Sequence, residues 1–242
     1  MRDFLTARPI AHRGLHDAAS GIIENTPSAF RAAIDGGYGI ECDLQISSDG
    51  EAMVHHDDVL GRLTEGAGRL DTMTAAELKR VAFKGSSDRM LTLGELCDLV
   101  GGRTPLVIEL KGNFAGDTRL AARTASVLAS RIGPIAAMSF DPGLMAAVRS
   151  LSPSLTLGLV AMRRDPQAPA TARMPALDYL RRTFAARLQF LAYRVQDLGS
   201  LPPWLGRHVM GWPVLTWTVR TEQDRAYAAR YADQIIFEGF RP

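Results

Sequence analysis

Short apolar runs alternate with longer amphipathic ones along nearly the whole chain, and this rhythm constrains the fold more than any single residue does. The apolar runs fall at 9–12, 40–46, 106–110, 135–139, 156–160, 190–194, 214–219 and 234–237. Each is bounded by turn residues and reads as a buried strand. Stretches with helical spacing lie between them at 26–35, 93–100, 117–132, 142–150, 177–187, 201–210 and 222–231. Strands separated by helices imply parallel crossovers. Eight principal strands of this kind predict an α/β fold, a (β/α)8 TIM barrel, and 242 residues suit the roughly 250 that such a barrel needs.

Local signals refine the picture. Pro27 suits the first turn of a helix capped by Asn25 or Thr26, and Gly36, Gly37 and Gly39 end it. The run at 52–55 extends the second strand or pairs with it across Ser48-Asp49-Gly50. Residues 57–90 break the rhythm with Gly61, Gly66, Gly68 and Gly85 around one short helix near 74–81, and read as an insertion on the barrel rim. The Pro-, Ala- and Arg-rich stretch 162–174 reads as a long loop. No full eighth helix fits after the last strand. Without a repeat or linker, residues 1–242 read as a single domain.

In such a barrel, catalytic side chains gather at the C-terminal ends of the strands. His12 and Arg13 end the first strand, Glu41 and Asp43 lie towards the end of the second, and Glu109 and Lys111 end the third. Residues two apart on a strand share a face, so each pair can look into the same mouth while Cys42 faces outward. Three converging carboxylates repel one another unless a cation joins them. All-oxygen ligands suit Mg2+ or Ca2+ better than tetrahedral zinc. His12 and His56 can move protons at neutral pH, and Arg13 and Lys111 can hold phosphate oxygens. Taken singly, each residue has an ordinary explanation as a surface or salt-bridged group. Together they suggest a phosphodiester hydrolase.

Other classes find less support. The net charge is +2, and the arginines are scattered among acids rather than gathered in a stripe, which argues against a nucleic-acid partner. Cys42 and Cys97 fit no metal or redox spacing. No apolar run approaches the ~18 residues of a membrane span. A functional His12 leaves no room for a secretory signal, so the expected location is cytoplasmic, without stable membrane association. There is no G-x-S-x-G, H-E-x-x-H or Walker loop.

The chain resembles the glycerophosphodiester phosphodiesterase family, within the PLC-like phosphodiesterase superfamily. The matching runs are His12-Arg13-Gly14, 24–30, Glu41-Cys42-Asp43-Leu44, Asp49-Gly50, Val54-His55-His56-Asp57, 60–64 with Gly66 and Gly68, 91–95, Glu109-Leu110-Lys111, Ser139-Phe140 and Trp217-Thr218-Val219. The resemblance implies a barrel hydrolase that cleaves small-molecule glycerophosphodiesters to glycerol 3-phosphate and an alcohol. By residue match, Glu41, Asp43 and Glu109 would bind a divalent metal, His12 and His56 would form the acid–base pair, and Arg13 and Lys111 would hold the phosphate. Trp217 would line the glycerol pocket, with a place in the core as the alternative, since it shares a strand face with Leu215.

The family pattern sets the catalytic histidine directly before an aspartate. This selects His56 and leaves His55 as a packing or surface residue. His16 reads as an exposed loop histidine, and His208 has no evident role. Glu24 and Asn25 could contact the site, and Asp57 could orient His56 or cap the insertion. After the last strand the family has Thr-Asp-x-Pro and a helix, whereas this chain has 237–242, Phe-Glu-Gly-Phe-Arg-Pro. That departure bears on how the barrel bottom and eighth position are covered, not on the expected metal or phosphate ligands. Two rivals stand beside this reading: a lysophospholipase D or sphingomyelinase D-like enzyme, and a non-catalytic phosphate-binding barrel. The polar 162–174 stretch counts against the first, and two intact proton carriers against the second.

Overall fold

A computed structural model describes residues 3–163 and 176–242. Eight parallel strands close into a barrel: β1 (Ile10–Ala11), β2 (Gly39–Ile46), β4 (Leu106–Leu110), β5 (Ile135–Ser139), β6 (Thr156–Ala161), β7 (Phe190–Arg194), β8 (Val214–Val219) and β9 (Gln234–Phe237). Closure falls on β1, which pairs in parallel with both β2 and β9. A further strand, β3 (Ala52–Val54), pairs antiparallel with β2 outside the ring. The second reading of the 52–55 run, pairing rather than extension, is the one observed.

Crossover helices cover the outside: α1 (Pro27–Asp35), α3 (Leu93–Val100), α4 (Arg119–Leu128), α5 (Pro142–Leu151), α6 (Ala176–Ala186), α7 (Leu201–His208) and α8 (Glu222–Tyr231). Thr26 caps α1, its hydroxyl accepting from the Ala29 N–H. Asn25 is therefore not the cap. α4 is shorter than the 117–132 expected. After Leu128 the chain tightens, with the Arg131 N–H donating to the Leu128 carbonyl, and Gly133-Pro134 leads straight into β5. Ile132 is left almost fully exposed. No helix follows β9 among the described residues, and none of them forms a helix long and apolar enough to cross a membrane. Most of the 162–174 stretch lies outside the described residues.

Strand alternation sorts the side chains into two cores. Ile40, Cys42, Leu44, Leu106, Ile108 and Leu110 face outward against the helices. Ile10, Val107, Met138, Phe190, Leu215 and Ile236 fill the barrel interior. Phe190 occupies so much of it that a Cβ at Gly158 would stand 2.3 Å from its ring, so only glycine fits there. The same alternation turns Glu41, Asp43, Glu109 and Lys111 inward, Glu41 level with Val107 and Asp43 level with Glu109 in the strand register.

Residues 57–90 build a third small core. Leu60, Leu70, Leu78, Phe83 and Met90 pack with Met53 of β3 and with Ile23. The one short helix, α2 (Ala75–Leu78), carries a capping box between Thr74 and Glu77. His55 is buried here beside Phe83, as a packing residue.

Gly14 fixes the loop after β1. Its φ is +80°, and an added Cβ would lie 2.8 Å from the Ala29 backbone. Gly14→Ala should destabilise the fold by about 2–4 kcal/mol, combining a left-handed penalty with overpacking. A urea midpoint unchanged from that of the parent would contradict this.

Candidate active site

The loop between β1 and α1 is the first wall of the site. Arg13 and Asn25 both sit at φ 57°, a left-handed conformation that costs a non-glycine residue. Their contacts hold it in place. The Asn25 N–H donates to the Arg13 carbonyl at 2.9 Å. The Asn25 amide then grips Asp43 twice, donating to Oδ2 at 2.9 Å and accepting from the Asp43 N–H at 3.2 Å. The strained loop thereby pins the second carboxylate of β2.

Glu41, Asp43 and Glu109 are all buried, and one carboxylate oxygen from each lies within 4.8 Å of the others. Two cations reach them. Lys111 Nζ lies 2.7 Å from Asp43 and 2.5 Å from Glu109, and Arg13 Nε is 3.2 Å from Asp43. Burial alone would raise the pKa of Asp43, but Lys111 and then Arg13 outweigh it and hold the carboxyl well below its usual range. Glu41 goes the other way. Burial, then the neighbouring Asp43 and Glu109, push its pKa well up. Burial and Asp43 also raise Glu109, against the pull of Lys111. Two cations cannot keep three buried carboxylates ionised together, and a further cation would do so. Hard oxygen donors in that state fit Mg2+ or Ca2+.

The two proposed proton carriers each face a carboxylate. His12 follows β1, and its backbone N–H donates to the Phe237 carbonyl at 2.9 Å. Its Nδ1 lies 2.5 Å from Glu238 Oε2, and its Nε2 stands 4.0 Å from Glu41. An ionised carboxylate can only accept, so the Nδ1–H donates and Nε2 is left as the basic nitrogen facing the carboxylates. Burial lowers the His12 pKa, and the Glu238 hydrogen bond only partly opposes it. His56 Nδ1 bonds Asp57 at 2.8 Å, and the Gln45 amide donates to the His56 carbonyl at 2.8 Å. Burial lowers His56 too, while Asp43 pulls it upward. Asp57 is itself held down at about 2; burial opposes this, but Arg62 and then His56 prevail. It both orients His56 and ties the insertion to the loop after β1, since Arg62 also reaches Glu24, which accepts from Arg13.

Glu238 was not among the residues singled out from sequence. The atypical C-terminal segment bears on the mouth rather than on the barrel bottom. Glu238 continues the inward alternation of Ile236, and that position directly after the last strand was the available signal. Arg220 Nε donates to it at 2.6 Å, and His16 Nε2 lies 3.9 Å away, so His16 is drawn towards the site rather than exposed. Burial would raise the Glu238 pKa, but His12, His16 and Arg220 hold it far below the carboxylate range. Glu238→Gln should lower kcat by roughly 10–10³-fold with little change in KM, because the amide weakens the bond that fixes the imidazole tautomer. A kcat within twofold of the parent would contradict that role.

Trp217 lines a cavity of about 240 Å3 together with His12, Phe140, Arg194 and Lys111. Its Nε1–H donates to the Ala192 carbonyl, and Phe140 packs edge-on against its ring. It serves both as interior packing and as cavity wall. His208 lies instead on α7, beside Trp204.

The architecture is a TIM barrel with a carboxylate cluster, two basic side chains and two histidines at its mouth. The chain belongs to the glycerophosphoryl diester phosphodiesterase family, whose sequence profile matches residues 12–238. A glycerophosphodiester phosphodiesterase of Caldanaerobacter subterraneus is 36% identical over 113 residues, covering 43% of this chain and 45% of that protein. Human glycerophosphodiester phosphodiesterase 1 is 42% identical over 82 residues, 33% of this chain and 23% of that protein. The matches thus span less than half the length of these relatives. An Oleispira antarctica phosphodiesterase, solved with the product sn-glycerol-3-phosphate, shares the fold with a TM-score of 0.78 at 22% identity, covering 97% of this chain and 94% of that one.

Proposed function

We propose that the chain hydrolyses glycerophosphodiesters to glycerol 3-phosphate and an alcohol. The observation that carries this reading is the mouth itself. Three buried carboxylates, Arg13, Lys111 and two carboxylate-paired histidines converge at one barrel end.

A divalent cation held by Glu41, Asp43 and Glu109 would polarise a phosphate oxygen and acidify the attacking hydroxyl. Arg13 and Lys111 spread the charge that develops on the phosphoryl group. His12, neutral and aimed by Glu238, takes the proton of the nucleophile at Nε2. His56, supported by Asp57, gives a proton to the leaving alcohol. Attack by the substrate's own glycerol 2-hydroxyl gains from proximity and forms a cyclic glycerol phosphate as the alcohol leaves. His56, now in its basic form, then takes a proton from water, which opens the ring to glycerol 3-phosphate while His12 returns its proton to the 2-oxygen. Trp217 and Phe140 provide the wall against which the glycerol carbons rest.

The test is turnover of a glycerophosphodiester, of its 2-deoxy analogue and of a lysophospholipid under one metal condition. Cleavage of the first, with the deoxy analogue bound but far slower, is the expected pattern. Equal kcat for the first two would point to direct attack by water. Preference for the lysophospholipid would favour a lipid-directed enzyme, and turnover of none would leave a binding barrel.

A further inference from the structure

Two cavities meet at the proposed catalytic line. The first, about 240 Å3, lies on the His12 side. The second, about 380 Å3, opens between the end of β2, the start of the insertion and the loop after β4. His56 and Lys111 stand in the walls of both. A phosphodiester has two arms, and a phosphate held between these side chains sends one arm into each cavity. The arm on the His56 side is the one that a proton from His56 releases.

We propose that the larger cavity receives the leaving alcohol and selects alcohols carrying their own N–H or O–H donors, such as ethanolamine or glycerol, over trimethylammonium alcohols and acylated ones. This rests on the functional reading above. The chemistry of the walls supplies the selectivity. Asp57, Asp58, Asp71 and Asp117 line the cavity, with Arg69 and Arg119 among them. Arg69 bonds Asp58 at 2.9 Å and Asp71 at 2.8 Å, and Arg119 bonds Asp117 at 2.7 Å. A carboxylate offers about four lone-pair positions, so these pairings leave acceptor capacity facing the cavity. Exposed ion pairs of this kind are individually weak and can trade partners with a bound ligand.

A donor-bearing alcohol satisfies those acceptors. A trimethylammonium group has no donor, and its usual partner is an aromatic face. Among the described residues, the His56 imidazole is the one aromatic ring that lines this cavity. The apolar side chains in its wall are Ile46, Leu70, Leu120 and Leu144, of which the three leucines are buried and Ile46 is half-buried. An acyl chain laid across the opening would cover charged pairs without replacing their water contacts.

The experiment compares kcat/KM for glycerophosphoethanolamine, glycerophosphoglycerol, glycerophosphocholine and a monoacyl diester whose acyl chain sits on the leaving alcohol, glycerophospho-N-acylethanolamine, with purified protein in excess Mg2+. The first two should exceed glycerophosphocholine by about tenfold or more, the worth of one charge-assisted hydrogen bond. The monoacyl diester should be poorest. Asp71→Asn and Asp117→Asn, each near-isosteric, should reduce the ethanolamine-to-choline ratio by at least about threefold, with circular dichroism confirming the fold. Equal rates on all soluble diesters, a preference for choline, or an unchanged ratio in both folded variants would overturn the proposal while leaving the hydrolase reading intact. No turnover of any diester would overturn both.

Discussion

Removing divalent cations should abolish turnover, and adding back Mg2+ or Ca2+ should restore it. The expectation follows from charge rather than analogy. Burial and like charge push the pKa of Glu41 well up although Lys111 and Arg13 stand nearby. A further cation would relieve that repulsion and hold all three carboxylates ionised. Asp43→Asn should weaken Mg2+ binding, read by calorimetry, far more than Cys42→Ala. The Cys42 thiol packs outward with the helix-facing core, whereas Asp43 faces the mouth. Full activity in rigorously metal-free protein would defeat the assignment.

Replacing either proton carrier should be nearly as damaging. His12→Ala and His56→Ala should each lose roughly 10²–10⁴ in kcat, the usual range for a lost general base or acid. His55→Ala is the internal control. Its ring packs beside Phe83 in the insertion core, so its loss should cost stability while kcat stays within a few-fold. Single-turnover rates at saturating substrate separate the two effects. An inactive His55→Ala beside an active His56→Ala would show that the roles of the two neighbours are reversed.

The barrel and the carboxylate trio were legible because both rest on strand alternation. Once β2 and β4 are recognised as parallel neighbours, Glu41, Asp43 and Glu109 can only point inward together, and Cys42 can only point out. Contacts between elements distant in sequence were not legible. Asn25 looks like a helix cap from its position before Pro27, yet its side chain brackets Asp43. Glu238 meets His12 across 226 residues, through a ring closure that periodicity does not specify. Asp58, Asp71 and Asp117 likewise come from the insertion and the loop after β4, whose shared cavity no local pattern reveals.

The pairing of His12 with Glu238 also has a consequence for how the catalyst comes into being. The carboxylate trio is complete once the chain has reached Glu109, so a nascent chain that has docked β2 against β4 already holds its three acids. His12 is present from the start, but the carboxylate that aims it lies just beyond β9, and β9 must dock on β1 before the two can meet. Chains grow from the N-terminus, and early segments can order before late ones arrive. On the proposed mechanism, competence is therefore conferred by the final strand: a partly made barrel would hold its three acids together but leave the His12 imidazole unaimed.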